Sequence, residues 1–265
     1  MKKIIKIVLG VLLFGGIIFL VIAANIKNSN QLLKTPNITI HTQDEIPLMT
    51  ELELKQELST HRLFWDSMTK NELKIGDIED FIKQMNEVYS ADVYTNLGTD
   101  WFVNVKTRRP LARIMGDGFD DFYLDSEYRL MRLSPYMKPK ILPFTGIEHL
   151  IPQGIGFEQL INNDSLKTKC KLDQIYRISN YVCNDAFYNA QIVQIHYTQE
   201  DGFILIPRVG KQEVKFGEAT SEEMVNDKFN KLTVFYEEVI PYEGWDKYES
   251  INLKFKDQIV AKKKE

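Results

Sequence analysis

The chain has 265 residues, of which 44% are hydrophobic and 26% charged, enough apolar material for one or two cores. A formal net charge of -4 and a pI near 5.7 exclude sequence-independent nucleic-acid binding, which needs a basic surface to displace counterions. Two cysteines, Cys170 and Cys183, are too few for a disulfide framework or a structural zinc site.

Ile4 to Ala24 is apolar apart from Lys6, and as a helix it covers roughly 30 Å, the thickness of a bilayer's hydrocarbon core. Lys2, Lys3 and Lys6 crowd its start, which predicts a cytoplasmic amino terminus and an exported remainder. A cleaved signal peptide is the alternative, since Ala23 and Ala24 are small. Against it, the run is longer than a usual signal core, and no polar stretch precedes the alanines. Asn25 to Thr35 is polar and reads as a linker.

A first domain is expected over residues 36–110. Ile38 to Ile40 alternates as a strand. Thr50 and Glu53 fit a capping box with Leu54 and Leu58 one turn apart behind it, so a helix starts there. Asp77 is placed to cap a second helix, whose apolar stripe is Ile78, Phe81, Ile82, Met85, Val88 and Tyr89. Ala91 to Leu97 and Trp101 to Thr107 are β-rich and flank Gly98, Thr99 and Asp100, a hairpin signal.

A second domain is expected over residues 111–265. Phe122 to Leu124, Leu130 to Leu133 and Lys140 to Phe144 read as short strands among glycines and prolines. Leu172, Ile175, Tyr176, Ser179, Val182, Cys183 and Ala186 trace one helical face. With that helix in place the two cysteines lie roughly 15 to 20 Å apart, beyond disulfide reach. Ala190 to His196 and Phe203 to Val209 form strands turning at Asp201 and Gly202, and Glu213 to Phe216 adds another. Thr220 and Glu223 satisfy a second capping box, followed by the stripe Val225, Phe229, Leu232, Tyr236 and Val239. From Ser250 the chain alternates again, with Ile251, Leu253 and Phe255 on one face and Asn252, Lys254 and Lys256 on the other, which predicts a half-buried strand. Ile259, Val260 and a lysine cluster then describe a strand leaving the sheet for water.

Three stretches carry a family resemblance. Gly244-Trp245 with Tyr248, followed by Ile251-Asn252-Leu253-Lys254-Phe255 and Gln258-Ile259-Val260, resembles the carboxy-terminal strand of the FtsQ/DivIB family of bacterial cell-division proteins. The strand-helix-helix-strand-strand order of residues 36–110 resembles the POTRA domain of that family. Arg108-Arg109-Pro110-Leu111-Ala112 is similar to its Arg-x-Pro-hydrophobic-Ala passage between domains. The resemblance implies an α+β fold: a single amino-terminal transmembrane helix, a POTRA-like β-α-α-β-β domain, and a mixed β-sheet domain with packed helices. It also implies a scaffold of septum assembly in the cell inner membrane, with FtsB-like and FtsL-like bitopic partners and with FtsK and the FtsW/FtsI pair as further contacts. Residues 147–171 do not align by pattern.

Catalytic chemistry is weakly represented. Ser67 and Lys70 have the SxxK spacing of penicillin-binding enzymes, but no accompanying motif is present. Asp117, Asp120, Asp121 and Asp125 do not match an EF-hand and are read as a solvated hairpin turn. His41, His61, His149 and His196 are dispersed. No catalytic residue, metal site or cofactor is expected. The alternatives from other classes are an exported cell-wall enzyme, which would need a convergent polar pocket, and a POTRA-type export component.

The candidate partner site is therefore the terminal strand, read as an exposed edge over Ser250 to Ala261 onto which a partner segment adds as a further strand. Its residues are Ser250, Asn252, Lys254, Phe255, Asp257, Gln258, Ile259 and Val260, and the resemblance carries partner contact onto Lys254, Phe255, Asp257 and Gln258. Trp245 and Tyr248 are either an exposed aromatic anchor or a plug beneath the strand.

Overall fold

In a computed structural model that describes residues 2–42, 48–96, 98–116, 120–134, 140–147, 150–151, 155 and 157–264, helix α1 spans Lys2–Ser29. Among the described residues it holds the one stretch long and apolar enough to cross a membrane, Leu12–Ser29. Its apolar side chains from Leu12 onward are exposed all round, the pattern of a helix that meets lipid rather than a core. The α+β chain divides into two compact units, Met1–Thr107 and Arg108–Glu265.

The first unit continues with β1 (Asn37–His41), α2 (Glu51–Thr60), α3 (Ile75–Lys83), β2 (Val88–Thr95) and β3 (Trp101–Thr107). The sheet order is β1-β3-β2, with β1 parallel and β2 antiparallel to β3. Leu54 and Leu58 of α2 and Ile78 and Ile82 of α3 pack with Val93, Trp101, Val103 and Val105 of the sheet. The capping box forms as the spacing predicts: Glu53 N–H donates to Thr50 Oγ1 at 3.3 Å and Thr50 N–H to Glu53 Oε2 at 2.7 Å. Three details differ from the sequence expectation. Helix α3 starts at Ile75 behind Lys74, so Asp77 sits inside the first turn, where its charge still favours the helix dipole. Val88 and Tyr89 belong to β2, because the helix ends at Gln84 and pairing with β3 captures them. The stretch Asn25 to Thr35 is not a free linker: α1 runs to Ser29, and the residues after it are hydrogen-bonded to the loop before α3.

The second unit contains β4 (Pro110–Ile114), β5 (Phe122–Asp125), β6 (Leu130–Arg132), β7 (Leu142–Thr145), α4 (Phe157–Ile161), α5 (Asp164–Lys169), α6 (Leu172–Asn184), α7 (Ala186–Gln191), β8 (Ile192–Thr198), β9 (Gly202–Pro207), β10 (Glu213–Gly217), α8 (Glu222–Glu238), α9 (Ile240–Glu243), β11 (Tyr248–Asn252) and β12 (Val260–Lys263). Its nine strands run in the order β12-β11-β10-β9-β8-β7-β4-β5-β6, with parallel pairs at β10/β11, β7/β8 and β4/β7. Ile175, Ile178 and Val182 of α6 and Phe229 and Leu232 of α8 join Phe144, Ile195, Phe203, Leu205, Phe216 and Ile251 of the sheet in one core. Within it Phe229 stacks on Tyr181 at 4.1 Å between ring centroids.

Pattern reading missed helix α7, which takes Ala186 from the expected α6 face and Ala190 from the expected strand, and it missed strand β4. Its two arginine-bearing ends hide the alternation, and Pro110 can stand only at the first position of a strand, beside the bulge that occurs here. Helix α8 is capped by Ser221, whose Oγ accepts Met224 N–H at 3.1 Å, one residue after the expected Thr220. Residues 157–169 hold the short helices α4 and α5, and Cys170 lies buried at the end of the latter. Neither cysteine is in a disulfide.

The aspartate turn is also different from the expectation. Asp125 is 1% exposed; its Oδ2 takes Arg108 at 3.0 Å, and its Oδ1 accepts Glu127 and Arg129 N–H at 2.9 and 2.8 Å. The carboxylate therefore closes the β5–β6 hairpin internally. Asp121 pairs with Arg113 at 2.6 Å, Asp120 is exposed, and Asp117 lies outside the described residues.

Candidate functional site

The end of the chain forms two strands, not one. β11 enters the sheet beside β10 in parallel, with Glu213↔Ser250 and Lys215↔Asn252 in register. The chain then turns through residues 253–259 and returns antiparallel as β12, with Ser250↔Lys262, Ile251↔Ala261 and Asn252↔Val260 in register. The expected edge over Ser250 to Ala261 is corrected accordingly. Ser250 and Asn252 have strand neighbours on both sides, and the outer position in the sheet belongs to β12.

The side chains follow from this topology. Ile251 and Leu253 are buried as the alternation predicts, but the alternation stops there and Phe255 is 46% exposed. Asn252 Oδ1 accepts Lys254 N–H at 2.9 Å, an Asx turn that bends the chain out of β11. Lys254 Nζ lies 2.7 Å from Asp201, which also holds Lys215 at 2.7 Å. The hydrogen bond from Lys215, then that from Lys254, keeps the Asp201 carboxyl below its ordinary range. Lys254 is therefore already paired inside the protein. Lys231 Nζ donates to the carbonyls of Phe255 and Lys256 at 3.0 and 2.8 Å and fixes the turn to α8. Asp257 and Gln258 are exposed in that turn, Ile259 packs against the core, and Val260 begins the edge at 45% exposure.

The two aromatic candidates are packed inward. Tyr248 is 5% exposed with its ring 5.3 Å from Phe235, and Trp245 is half-buried 5.1 Å from Tyr236. Both are plugs beneath the hairpin. Besides Phe255, the aromatic that faces outward here is Tyr242, 88% exposed on α9. Its neighbour Glu243 reaches Lys263 of β12 at 3.6 Å. The available signal for Tyr242 was its place between the buried Ile240 and Gly244, where no helical stripe continues inward.

An open pocket of about 430 Å³ lies at the foot of the hairpin, with Asp201, Met224, Lys228, Lys231, Lys254 and Phe255 in its lining. These charged groups are engaged by the protein itself, Asp201 by Lys215 and Lys254, Lys231 by Asp227, and Lys228 by main-chain carbonyls. Lys228, 6% exposed, donates to the carbonyls of Phe216 and Glu218, each at 2.7 Å. Burial, then the like charge of Lys231, pulls its ammonium down to about 8 from 10.5. Between these values the folded chain gives up a proton that the unfolded chain keeps, so stability should rise with pH across that window. We expect native stability, measured against Lys228→Met by urea unfolding, to gain on the order of 2–3 kcal/mol from pH 8 to pH 10.5. Parallel curves would show that the ammonium is not penalised.

Ser67 has φ +70° and is exposed in a turn, not on a helix, and Lys70 Nζ donates to the Gly98 carbonyl at 3.2 Å, so the two do not form the SxxK arrangement. His196 Nδ1 meets Thr145 Oγ1 at 2.9 Å, with Gln194 Nε2 donating to the same hydroxyl at 2.8 Å, a strand-to-strand link between β7 and β8. Among the described residues no group of three His, Cys, Asp or Glu could hold a metal ion.

No curated protein matches the chain. A family model described as FtsQ/DivIB, C-terminal related, matches residues 109–262, more than half of the chain, from the start of the second unit into β12. The matched stretch takes in the nine-stranded sheet, its helices and the terminal hairpin, and by that match the chain belongs to the FtsQ/DivIB family of cell-division proteins.

Proposed function

We propose that the protein is a non-enzymatic membrane scaffold of the dividing cell, which recruits its partners by strand addition at the outer side of β12. The observation that carries this reading is the position of β12 at the end of the sheet, paired with β11 on one side. Such an edge offers a row of main-chain donors and acceptors to an extended segment, and side chains beside it select the sequence. Lys262 and Lys263 stand exposed on β12 but are held by Glu249 and Glu243 at 2.6 and 3.6 Å, so recognition rests on the main chain of the edge rather than on unpaired charge. Tyr242 adds apolar contact area at the rim.

On this reading α1 crosses the inner membrane with its amino terminus in the cytoplasm, and both folded units stand outside it. The first unit serves as a POTRA domain. FtsB-like and FtsL-like bitopic proteins are the partners of the edge, and FtsK and FtsW/FtsI make further contacts. Protease added outside an opened envelope should digest the folded units, and affinity capture of the intact protein from membranes should recover small bitopic division proteins. Protection from protease, or capture unchanged when the chain is stopped at Gln258 and the domain stays folded, would overturn the proposal.

A further inference from the structure

The end of α1 is built into the first unit. Asn71 N–H donates to the Ser29 carbonyl at 3.0 Å, Lys70 N–H to Gln31 at 2.9 Å, Leu33 N–H to Met68 at 2.8 Å and Lys34 N–H to Thr99 at 3.1 Å. The buried Trp101 donates its indole N–H to the Lys34 carbonyl at 2.9 Å, and Lys34 Nζ pairs with Asp100 at 2.9 Å. Leu32 and Thr69 form an antiparallel bridge in the middle of this seam. Ser29 ends the helix, Asn30 turns, and residues 31–34 are a strand-like extension bonded to the domain at Gln31, Leu33 and Lys34, with no free hinge between helix and domain.

We propose that this seam holds the first unit against the bilayer, with the loop around Asn71 lying in the phospholipid headgroup layer, so that the bilayer surface is a binding partner of this face. The inference rests on the reading that α1 spans the membrane. Within the Leu12–Ser29 stretch the uninterrupted apolar run ends at Ala24, and Asn25, Lys27, Asn28 and Ser29 after it are polar. Ser29 is about 7.5 Å further along the axis at the rise of an α-helix. The headgroup layer on each side of the hydrocarbon is roughly 5–8 Å thick. Asn71, bonded to the Ser29 carbonyl, is therefore fixed at headgroup height.

The chemistry of the face agrees with that position. Asn30, Gln31 and Asn71 present amide groups that can donate to phosphate and bond glycerol, Glu72 is turned back to accept from the N–H and hydroxyl of Thr69 at 2.8 and 2.7 Å, and Leu32 is an apolar side chain left 58% exposed. The lysines on this face of the domain are engaged within the protein, Lys34 with Asp100, Lys70 with the Gly98 carbonyl and Lys74 with Asp77, while Lys27, exposed in the last turn of α1, belongs to the helix itself. Contact is therefore imposed by the covalent and hydrogen-bonded connection to α1, and it does not require anionic lipid. A charge-held contact would be screened by salt, whereas this one is not.

The test uses the full chain in phosphatidylcholine vesicles that carry a nitroxide quencher on the lipid headgroup. A fluorophore is attached at Asn71→Cys, with Ile26→Cys as a reporter of the span and the unsubstituted protein as the background from Cys170 and Cys183. Quenching of both reporters severalfold above background is expected, unchanged at high salt. A flexible Gly-Ser insertion after Asn30 should abolish quenching at position 71 and leave it at position 26. Quenching at 26 without quenching at 71 would overturn the seating while leaving the span intact. Quenching at neither position would show instead that the span reading fails, and the seating with it. Quenching at 71 that needs anionic lipid, or that survives the insertion, would overturn the seam as its cause.

Discussion

Proline at Ala261 and proline at Lys262 are expected to separate folding from partner capture. Successive residues of an antiparallel strand turn their N–H groups to opposite sides, and β12 has a pairing strand on one side only. One of these two amides therefore lies in the ladder with β11, and the other faces outward. Proline in the ladder removes a main-chain hydrogen bond, costs on the order of 1–2 kcal/mol, and loosens the hairpin. Proline on the outward side leaves the fold in place but removes a donor that an added strand needs, and its ring obstructs the approach. Capture of the partner from membranes should fall at least about tenfold for the outward variant, a loss equivalent to roughly 1.4 kcal/mol or more. Gln258→Pro lies in the exposed turn and should change neither property. If both strand variants fold and capture partners as the native protein does, the edge is not the docking site.

Asp125→Ala should be the most destabilising single change at a polar position of the second unit. The carboxylate is 1% exposed and serves three donors: the guanidinium of Arg108 and the N–H groups of Glu127 and Arg129. Removing it leaves the Arg108 side chain, itself 15% exposed, without its counter-charge and two hairpin amides without an acceptor. The expected loss is about 3 kcal/mol, within the range for breaking a buried pair on one side. In thermal unfolding of the solubilised chain this corresponds to a drop on the order of 10 °C. Asp125→Asn retains an acceptor for the two amides and loses the charge, so it should fall between the two. Native-like melting of Asp125→Ala would mean that the Arg108 pair contributes nothing, and that the Arg-x-Pro passage needs its arginine for another reason.

The aspartate shows how far composition and spacing reach. Four acids within nine residues look like a solvated turn, because a sequence gives no sign of the arginine that a folded hairpin will bring to one of them. The same limit governs the partner site. Ile251 and Leu253 read correctly as one buried face, since alternation is a local property of a strand. Where the strand stops is not local: Asn252 bends the backbone, Lys231 of α8 holds the turn, and Phe255 falls outside the pattern.

What the sequence alone determined were the features written in short-range periodicity: the apolar span of α1, the Thr50 capping box, the stripe of α8, the stripe of α3 as far as Ile82 and that of α6 as far as Val182, the turn at Gly202, and the family resemblance carried by adjacent residues. Each depends on residues within a few positions of one another, whose backbone preferences and burial act together. Only the tertiary structure decided that β4 lies between β5 and β7, that β12 rather than β11 is the outer strand, that Tyr242 and not Trp245 faces outward, and that residues 29–34 are tied to the loop before α3. Those outcomes turn on pairing between segments distant in the chain. The main-chain groups that decide such pairing are the same for nearly every residue, so sequence pattern does not distinguish which segment will meet which.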